Sequence, residues 1–336
     1  MKSNTALVTA FFDINRSKFK TSKLDNSKYF EYFKFVAHLQ NDLFIFTDNE
    51  KHKEKIEKIR KEYCPNFITK VYIEKLDQLD PNLYQNLSST FKRFDQSKIR
   101  KYPNRPECLY INYCFINIVK FIFLSRIIDL NKKYDSYAWI DFGFNHGQQY
   151  YSSPISLPVS LESLKLKISI PDNKLILFKT PEKDASRKSI AELYITLDTP
   201  ILGGLQIGSK EAWICHDKNM RKAINSISSL GIVDDDQLYL VHCYRNNEND
   251  YFLLPTTEWF DSLSYTFPTG SEVKINIKIP KYKFWLSLYN EYIKNNNFIK
   301  AAHSACMAAF FYLIKRKAQC TQTSIVRIDN KIHIAS

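Results

Sequence analysis

The chain has 336 residues, 44% hydrophobic and 15% aromatic, which excludes a disordered polypeptide and suits one enlarged α/β domain or a domain with an appendage. Lys and Arg outnumber Asp and Glu by 48 to 35, and the net charge of +13 favours anionic partners such as a nucleotide, a phosphorylated glycan or an acidic membrane surface. The seven Cys include no C-x-x-C pair and none of the usual zinc spacings, so a disulfide framework and a zinc module are both disfavoured.

In chain order, the first apolar run, Ala6 to Phe12, is short and interrupted by Thr9. It reads as a strand rather than a secretory signal, and a cytoplasmic protein is expected. Tyr29 to Leu39 is helix-compatible, Leu43 to Thr47 is a second strand ending at Asp48, Lys51 to Tyr63 is a charged helix, and Phe67 to Ile73 is a third strand. Strands alternating with helices predict a largely parallel sheet with right-handed crossovers. Residues 77 to 107 are polar and broken by Pro81, Pro103 and Pro106. Leu109 to Leu130 then reads as one long buried helix, because Asn112, Asn117, Lys120 and Arg126 interrupt what would otherwise resemble a membrane span.

Tyr137 to Ile140 is an unbroken apolar strand that ends on Asp141 and runs into Phe142-Gly143-Phe144-Asn145-His146-Gly147. Ligands of α/β sheets bind outside the carboxyl ends of the strands, which is where Asp141 falls. Two readings stay open for it: a carboxylate presented to a bound diphosphate, or a turn residue before Gly143. Leu175 to Phe178 is a further strand. Three of the seven glycines, Gly203, Gly204 and Gly208, then fall within six positions, which implies a close backbone approach or special dihedrals. A helix over Ser209 to Ser229 precedes Asp234-Asp235-Asp236-Gln237, which opens a short helix through Val241. Tyr282 to Lys317 reads as two antiparallel helices joined around Asn295 to Asn297. The expected organisation is a catalytic domain over 1–275 and a helical appendage over 276–336.

Thr9-Ala10-Phe11-Phe12-Asp13 with Arg16, the Phe46-Thr47-Asp48 strand end, Lys120 ahead of Trp139-Ile140-Asp141-Phe142-Gly143, and Gly203-Gly204 leading to Asp236-Gln237 occur in an order and spacing that resembles the bacterial HtrL/YibB family, the WlaTC-like proteins among them. The resemblance covers roughly residues 5 to 255. It implies a GT-A-like fold and a glycosyltransferase that moves a sugar from a nucleotide-sugar donor to a lipopolysaccharide, lipooligosaccharide or capsule glycan. It also implies donor contacts from Thr9, Ala10, Phe11, Phe12, Asp13, Arg16, Asp48, Asn117, Lys120, Asp141 and Gly143.

Such a transfer leaves negative charge on a phosphate oxygen, which a divalent cation or basic side chains must stabilise. Asp141 is the candidate ligand for Mn or Mg. The usual D-x-D has Gly143 in its second place, which leaves two readings open: Asn145, His146 or His242 completes a metal shell with water and phosphate oxygens, or the protein works without metal. Tyr113, Asn117 and Lys120 are spaced i, i+4 and i+7, a polar ridge on an apolar helix. Lys120 then either reaches solvent or meets an anion such as the diphosphate. Asp235 and Asp236 are the candidate catalytic carboxylates, with Gly203, Gly204 and Gln237 on the acceptor side, although one of the three acids also suits a helix cap.

Two rivals accompany this reading. One is a non-catalytic nucleic-acid-binding protein, disfavoured because the basic residues form no dense run. The other is a degenerate transferase that binds nucleotide sugar without turnover. Phe298 to Lys317, with Lys315, Arg316 and Lys317 at its end, either packs on the catalytic domain or rests on an anionic bilayer at the inner face of the membrane.

Overall fold

A computed structural model describes residues 4–16, 19, 25–180, 187–198, 200–280, 289–290, 293, 298–313 and 319–329. The chain opens with β1 (Thr5–Phe11), α1 (Asn26–Ala37), β2 (Leu43–Thr47), α2 (Glu50–Tyr63) and β3 (Thr69–Ile73), the alternation read from the sequence. Helices α3 (Pro81–Lys92), α4 (Pro106–Leu109), α5 (Ile111–Ile118) and α6 (Lys120–Leu130) lead into β4 (Ser136–Ile140). Then follow α7 (Leu161–Lys167), β5 (Leu175–Lys179), α8 (Ile190–Thr196), β6 (Ile201–Gly208), α9 (Lys210–Ser229), α10 (Asp236–Asn246) and β7 (Tyr251–Pro255).

Seven strands form one sheet in the order β3-β2-β1-β4-β6-β5-β7. The pairs β1–β2, β2–β3, β1–β4 and β5–β7 are parallel, and β6 runs antiparallel to both its neighbours, so the sheet is mostly parallel. Every residue of β1, β2, β4 and β6 is buried, as expected for strands covered on both faces. On one face Val8 and Phe12 pack with α6 and α9 in the main core. On the other, Phe11 meets Phe30 of α1 at 4.8 Å and Phe142 at 4.7 Å between ring centroids.

Helix starts follow local capping chemistry. Asp25, Asn49, Asp80 and Ser209 each accept a bond from a first-turn backbone N–H, and Pro81 fills the first position of α3, where no donor is needed. The stretch Ile111–Leu130 is long and apolar enough to cross a membrane by length and composition, but 67% of it is buried within the protein. The single helix expected over 109–130 is interrupted at Tyr110 and Val119, whose backbones leave the helical region.

The chain divides into two compact units. The first takes the described residues within Met1–Gly147, Pro154–Ser271 and Ile328–Ser336, the second those of Gln148–Ser153 and Glu272–Arg327. In the second unit β8 (Glu272–Pro280) pairs antiparallel with β9 (Gln319–Arg327), and Tyr151 forms a bridge to Ile275. Of the helical pair expected over 282–317, one helix is seen at Phe298–Leu313, and most of the other lies outside the described residues, as do Lys315, Arg316 and Lys317. The unit is therefore a strand pair with a helix in its connection, because Glu272 to Ile279 alternates polar and apolar residues with the period of a strand.

Candidate functional site

The carboxyl ends of β1 and β4, the α5–α6 junction, the start of β6 and the start of α10 enclose a two-lobed cleft. The smaller lobe, of 240 Å³, is lined by residues that include Ala10, Phe11, Arg16, Gly143 and Phe144. The larger lobe, of 690 Å³, is lined by residues that include Glu107, Gly203, Gly204, Asp235, Asp236 and Gln237. Tyr29, Tyr113, Asn117, Lys120, Asp141, His146 and Trp259 line both lobes.

Lys120 is the hub. Its Nζ donates to Asp236 Oδ2 at 2.9 Å and Gly203 O at 2.9 Å and pairs with Asp141 Oδ1 at 3.0 Å. An ammonium has three N–H groups, and these partners take all of them. Burial by itself would lower the Lys120 pKa, but Asp141 and Asp236 together raise it above the ordinary lysine value. Asp236 is 4% exposed, and burial raises its pKa against the opposing pull of Lys120. Asp141 is more open. Trp139 Nε1 donates to its Oδ1 at 2.7 Å, and its backbone N–H donates to Gly204 O at 2.9 Å.

The three consecutive acids have three different partners. Asp234 is held by Arg100, whose Nη2 donates to its Oδ1 at 2.9 Å in a buried pair. Asp235 is the cap of α10 and accepts from Gln237 N at 3.2 Å, while half-facing the larger lobe. Asp236 belongs to Lys120. Burial first, then the neighbouring Asp234 and Asp236, push the Asp235 pKa well above the ordinary carboxylate range.

Of the residues expected in the site, Ala10, Phe11, Arg16, Asn117, Lys120, Asp141, Gly143, Gly203, Gly204, Asp235, Asp236 and Gln237 line the cleft. Tyr113 and Asn117 on α5 and Lys120 on α6 meet there despite the break at Val119. Arg16 is buried, donates to Phe12 O at 2.5 Å and lies 4.4 Å over the Tyr29 ring. Four of the expected donor contacts fall elsewhere. Thr9 and Phe12 are buried inside the fold, at 0% and 1% exposure, Thr9 within β1 short of its carboxyl end and Phe12 with its ring against Phe123 of α6 in the main core. Asp48 buttresses the β1 turn instead of lining the cleft: its Oδ2 accepts from Asp13 N at 2.8 Å and its Oδ1 contacts His52 Nδ1 at 2.7 Å. Asp13 in turn accepts from Asn15 N at 2.9 Å.

His242, six residues along α10 from Asp236 and so about 9 Å further along its axis, lines a separate cavity with Asn219, Lys222 and Asn246. It does not share a ligand shell with Asp141. Among the described residues no three His, Cys, Asp or Glu side chains converge on a cation-sized site. The donors that fit a hard divalent cation are Asp141, whose Oδ2 faces Gly204, and oxygens brought by a ligand. This is the sparse protein ligation that Mg²⁺ accepts when phosphate and water complete its shell. Lys120 carries one charge against two carboxylates, which leaves an unbalanced negative charge beside Asp141.

Tyr29, Trp259, Tyr102, Arg105 and Glu107 were not singled out in the sequence. Trp259 Nε1 would lie 3.5 Å from a β-carbon on Gly204. Apart from Tyr29 of α1, these residues come from connections and the short helix α4, where no period marks which side chains converge.

The family model described as "Bacterial protein of unknown function (HtrL_YibB)" matches residues 3–267. Protein HtrL of Escherichia coli (strain K12) is 27% identical over 274 residues, which cover 78% of this chain and 92% of that one. Among solved structures, the Mn/GDP form of core-mannan synthase A from Aspergillus fumigatus is 9% identical with a TM-score of 0.41, over 75% of this chain and 72% of that one. A Desulfovibrio desulfuricans G20 protein assigned as a nucleotide-diphospho-sugar transferase is 12% identical with a TM-score of 0.33, over 75% and 80%. Neither structural likeness carries a residue role to this chain. The family match spans most of the sequence and every element of the cleft, and the chain belongs to the HtrL/YibB family.

Proposed function

We propose that the protein is a glycosyltransferase that takes a sugar from a nucleotide-sugar donor and passes it to a lipopolysaccharide, lipooligosaccharide or capsule glycan at the cytoplasmic face of the membrane. The observation that carries this reading is the Asp141–Lys120–Asp236 constellation at the joint of two lobes, outside the carboxyl ends of parallel strands. Two lobes meeting at one set of ionisable groups suit a reaction with a donor and an acceptor.

In this reading the smaller lobe takes the nucleotide. Half-buried Tyr29 offers ring surface to a base, and Arg16, held over the Tyr29 and Phe11 rings, brings a buried positive charge to the donor. Lys120, with all three N–H groups committed, holds the two carboxylates in register instead of binding phosphate directly. Asp141 is the side chain that would hold Mn or Mg, which when bound offsets charge on the leaving diphosphate. Asp235 faces the larger lobe with a raised pKa, which suits a group that accepts a proton from an acceptor hydroxyl.

A thermal-shift panel of nucleotide sugars, with and without Mn or Mg, tests the reading. A true donor at 100 times its Kd adds about 2.7 kcal/mol of apparent stability. No stabilisation by any nucleotide sugar would sink the proposal, and stabilisation without transfer or hydrolysis would identify a binding-only relative of the enzymes.

A further inference from the structure

The larger lobe has an electrostatic character opposite to that of the whole chain. The protein carries a net charge of +13, yet carboxylates prevail in this lobe. Asp141 and Asp236 share the single ammonium of Lys120, and Asp198 pairs with Lys188. Asp235 caps α10 and has no cation within ion-pair distance among the described residues. Glu107 is the most telling. It is only 6% exposed, it lines the lobe, and its carboxylate has no hydrogen-bond or ion-pair partner among the described residues. Its oxygens are not among the fully buried side-chain atoms left without a partner, so they open on the lobe, where an ionised carboxylate can only accept.

Aromatic surface accompanies these acceptors. Tyr102, Tyr113 and Trp259 line the same lobe, and Arg105 packs over Tyr102 at 5.5 Å from the ring centroid. Ring faces beside hydrogen-bond acceptors match a sugar, which has an apolar C–H face and a rim of hydroxyl donors. A carboxylate or phosphate on that sugar would sit against Glu107, and like charges placed together across a binding site are strongly disfavoured.

We propose that the larger lobe recognises an uncharged sugar as the acceptor residue, with Glu107 accepting hydrogen bonds from its hydroxyls, and that it rejects acidic or phosphorylated sugars at this subsite. The proposal deepens the transferase reading and rests on it for the word acceptor. Acidic groups elsewhere on a longer glycan are outside its scope.

The test uses the full-length protein with matched pairs of methyl glycosides, hexopyranosides against the corresponding hexuronides and hexose 6-phosphates, read by ligand-observed NMR. The neutral member of each pair is expected to bind about tenfold more tightly, a like-charge cost of about 1.4 kcal/mol. Glu107→Gln should weaken neutral binding and narrow the discrimination while leaving the thermal shift with nucleotide sugars unchanged. Equal or tighter binding of the acidic members overturns the proposal, as does binding of neither class at millimolar concentration. The donor panel separates the two failures. Donor binding with acidic preference removes this inference alone, whereas neutral-sugar binding without any donor removes the transferase reading and leaves a saccharide-binding site.

Discussion

The carboxylate of Asp236 occupies the space that a β-carbon on Gly203 would need: a methyl group there would lie 2.0 Å from Oδ2 and 2.6 Å from Cγ. Gly203 sits inside β6 with ordinary strand dihedrals, so the glycine is required by proximity and not by backbone conformation. The same Oδ2 bonds Lys120 at 2.9 Å, so the missing side chain is what lets the ion pair form against β6.

Gly203→Ala is therefore expected to push Asp236 off Lys120, with an overpacking cost of about 1–3 kcal/mol. Gly204→Ala is the control, since its β-carbon would meet nothing closer than 3.5 Å. Urea melts of the two variants check this. Equal stability of both would show that Asp236 has another place to go.

Lys120→Met removes the cation that Asp141 and Asp236 share. Breaking a buried pair from one side costs about 3–5 kcal/mol, and the lower end applies here because the Asp141 side chain is 38% exposed. Asp236 already has a raised folded pKa, and without Lys120 it rises further. A carboxyl with a raised folded pKa favours the native state when protonated, so the deficit should be largest near pH 8 and shrink as the pH falls toward 5. Melts at the two pH values test the sign. An unchanged stability joined to lost diphosphate binding would return Lys120 to the role of a direct ligand contact.

His216 supplies a separate pH signature. It is 2% exposed, its Nδ1 lies 3.0 Å from Tyr251 Oη, and burial holds its pKa down from 6.5 to about 3. A base whose folded pKa is depressed contributes stability that is complete above its unfolded pKa and is lost as the pH falls. The loss should run between pH 6.5 and 3, at up to about 1.4 kcal/mol per pH unit. His216→Gln should flatten that limb, and an unaltered slope would assign the acid sensitivity to other groups.

The elements that could be read in the sequence were those with a clean period and a clear end. The strands β1, β2 and β4 and the charged helix α2 follow from apolar runs and stripes, and Gly203 followed from the rarity of glycine. The break at Val119 was not legible, because Cys114 to Leu124 contains neither Gly nor Pro and the departure from the helix comes from tertiary packing. Antiparallel strand β9 was hidden behind a helical expectation, although the alternation in β8 was plain. In the site, Thr9 and Phe12 came with the motif that holds Ala10 and Phe11. What separates them is tertiary packing, such as Phe123 stacked on the Phe12 ring, which the motif does not show. Glu107 and Trp259 had no pattern to mark them, since their positions are set by contacts across long sequence separations.

Asp141→Asn separates chemistry from packing. The amide keeps an oxygen for Trp139 Nε1 and Lys120, and the native side chain is already 38% exposed, so the melting temperature should move little. The cleft loses the carboxylate that is open to a ligand. Any Mn- or Mg-dependent rise in melting temperature in the presence of nucleoside diphosphate should therefore vanish, and transfer should fall by on the order of 10²-fold or more, the scale of losing one preorganised electrostatic group. Calorimetric titration of the metal with nucleoside diphosphate present checks the first outcome without relying on turnover. Persistence of the metal response in the variant would place the cation away from Asp141. Near-normal transfer would make Asp141 a turn residue, held by Gly204 O through its backbone and by Trp139 through its side chain.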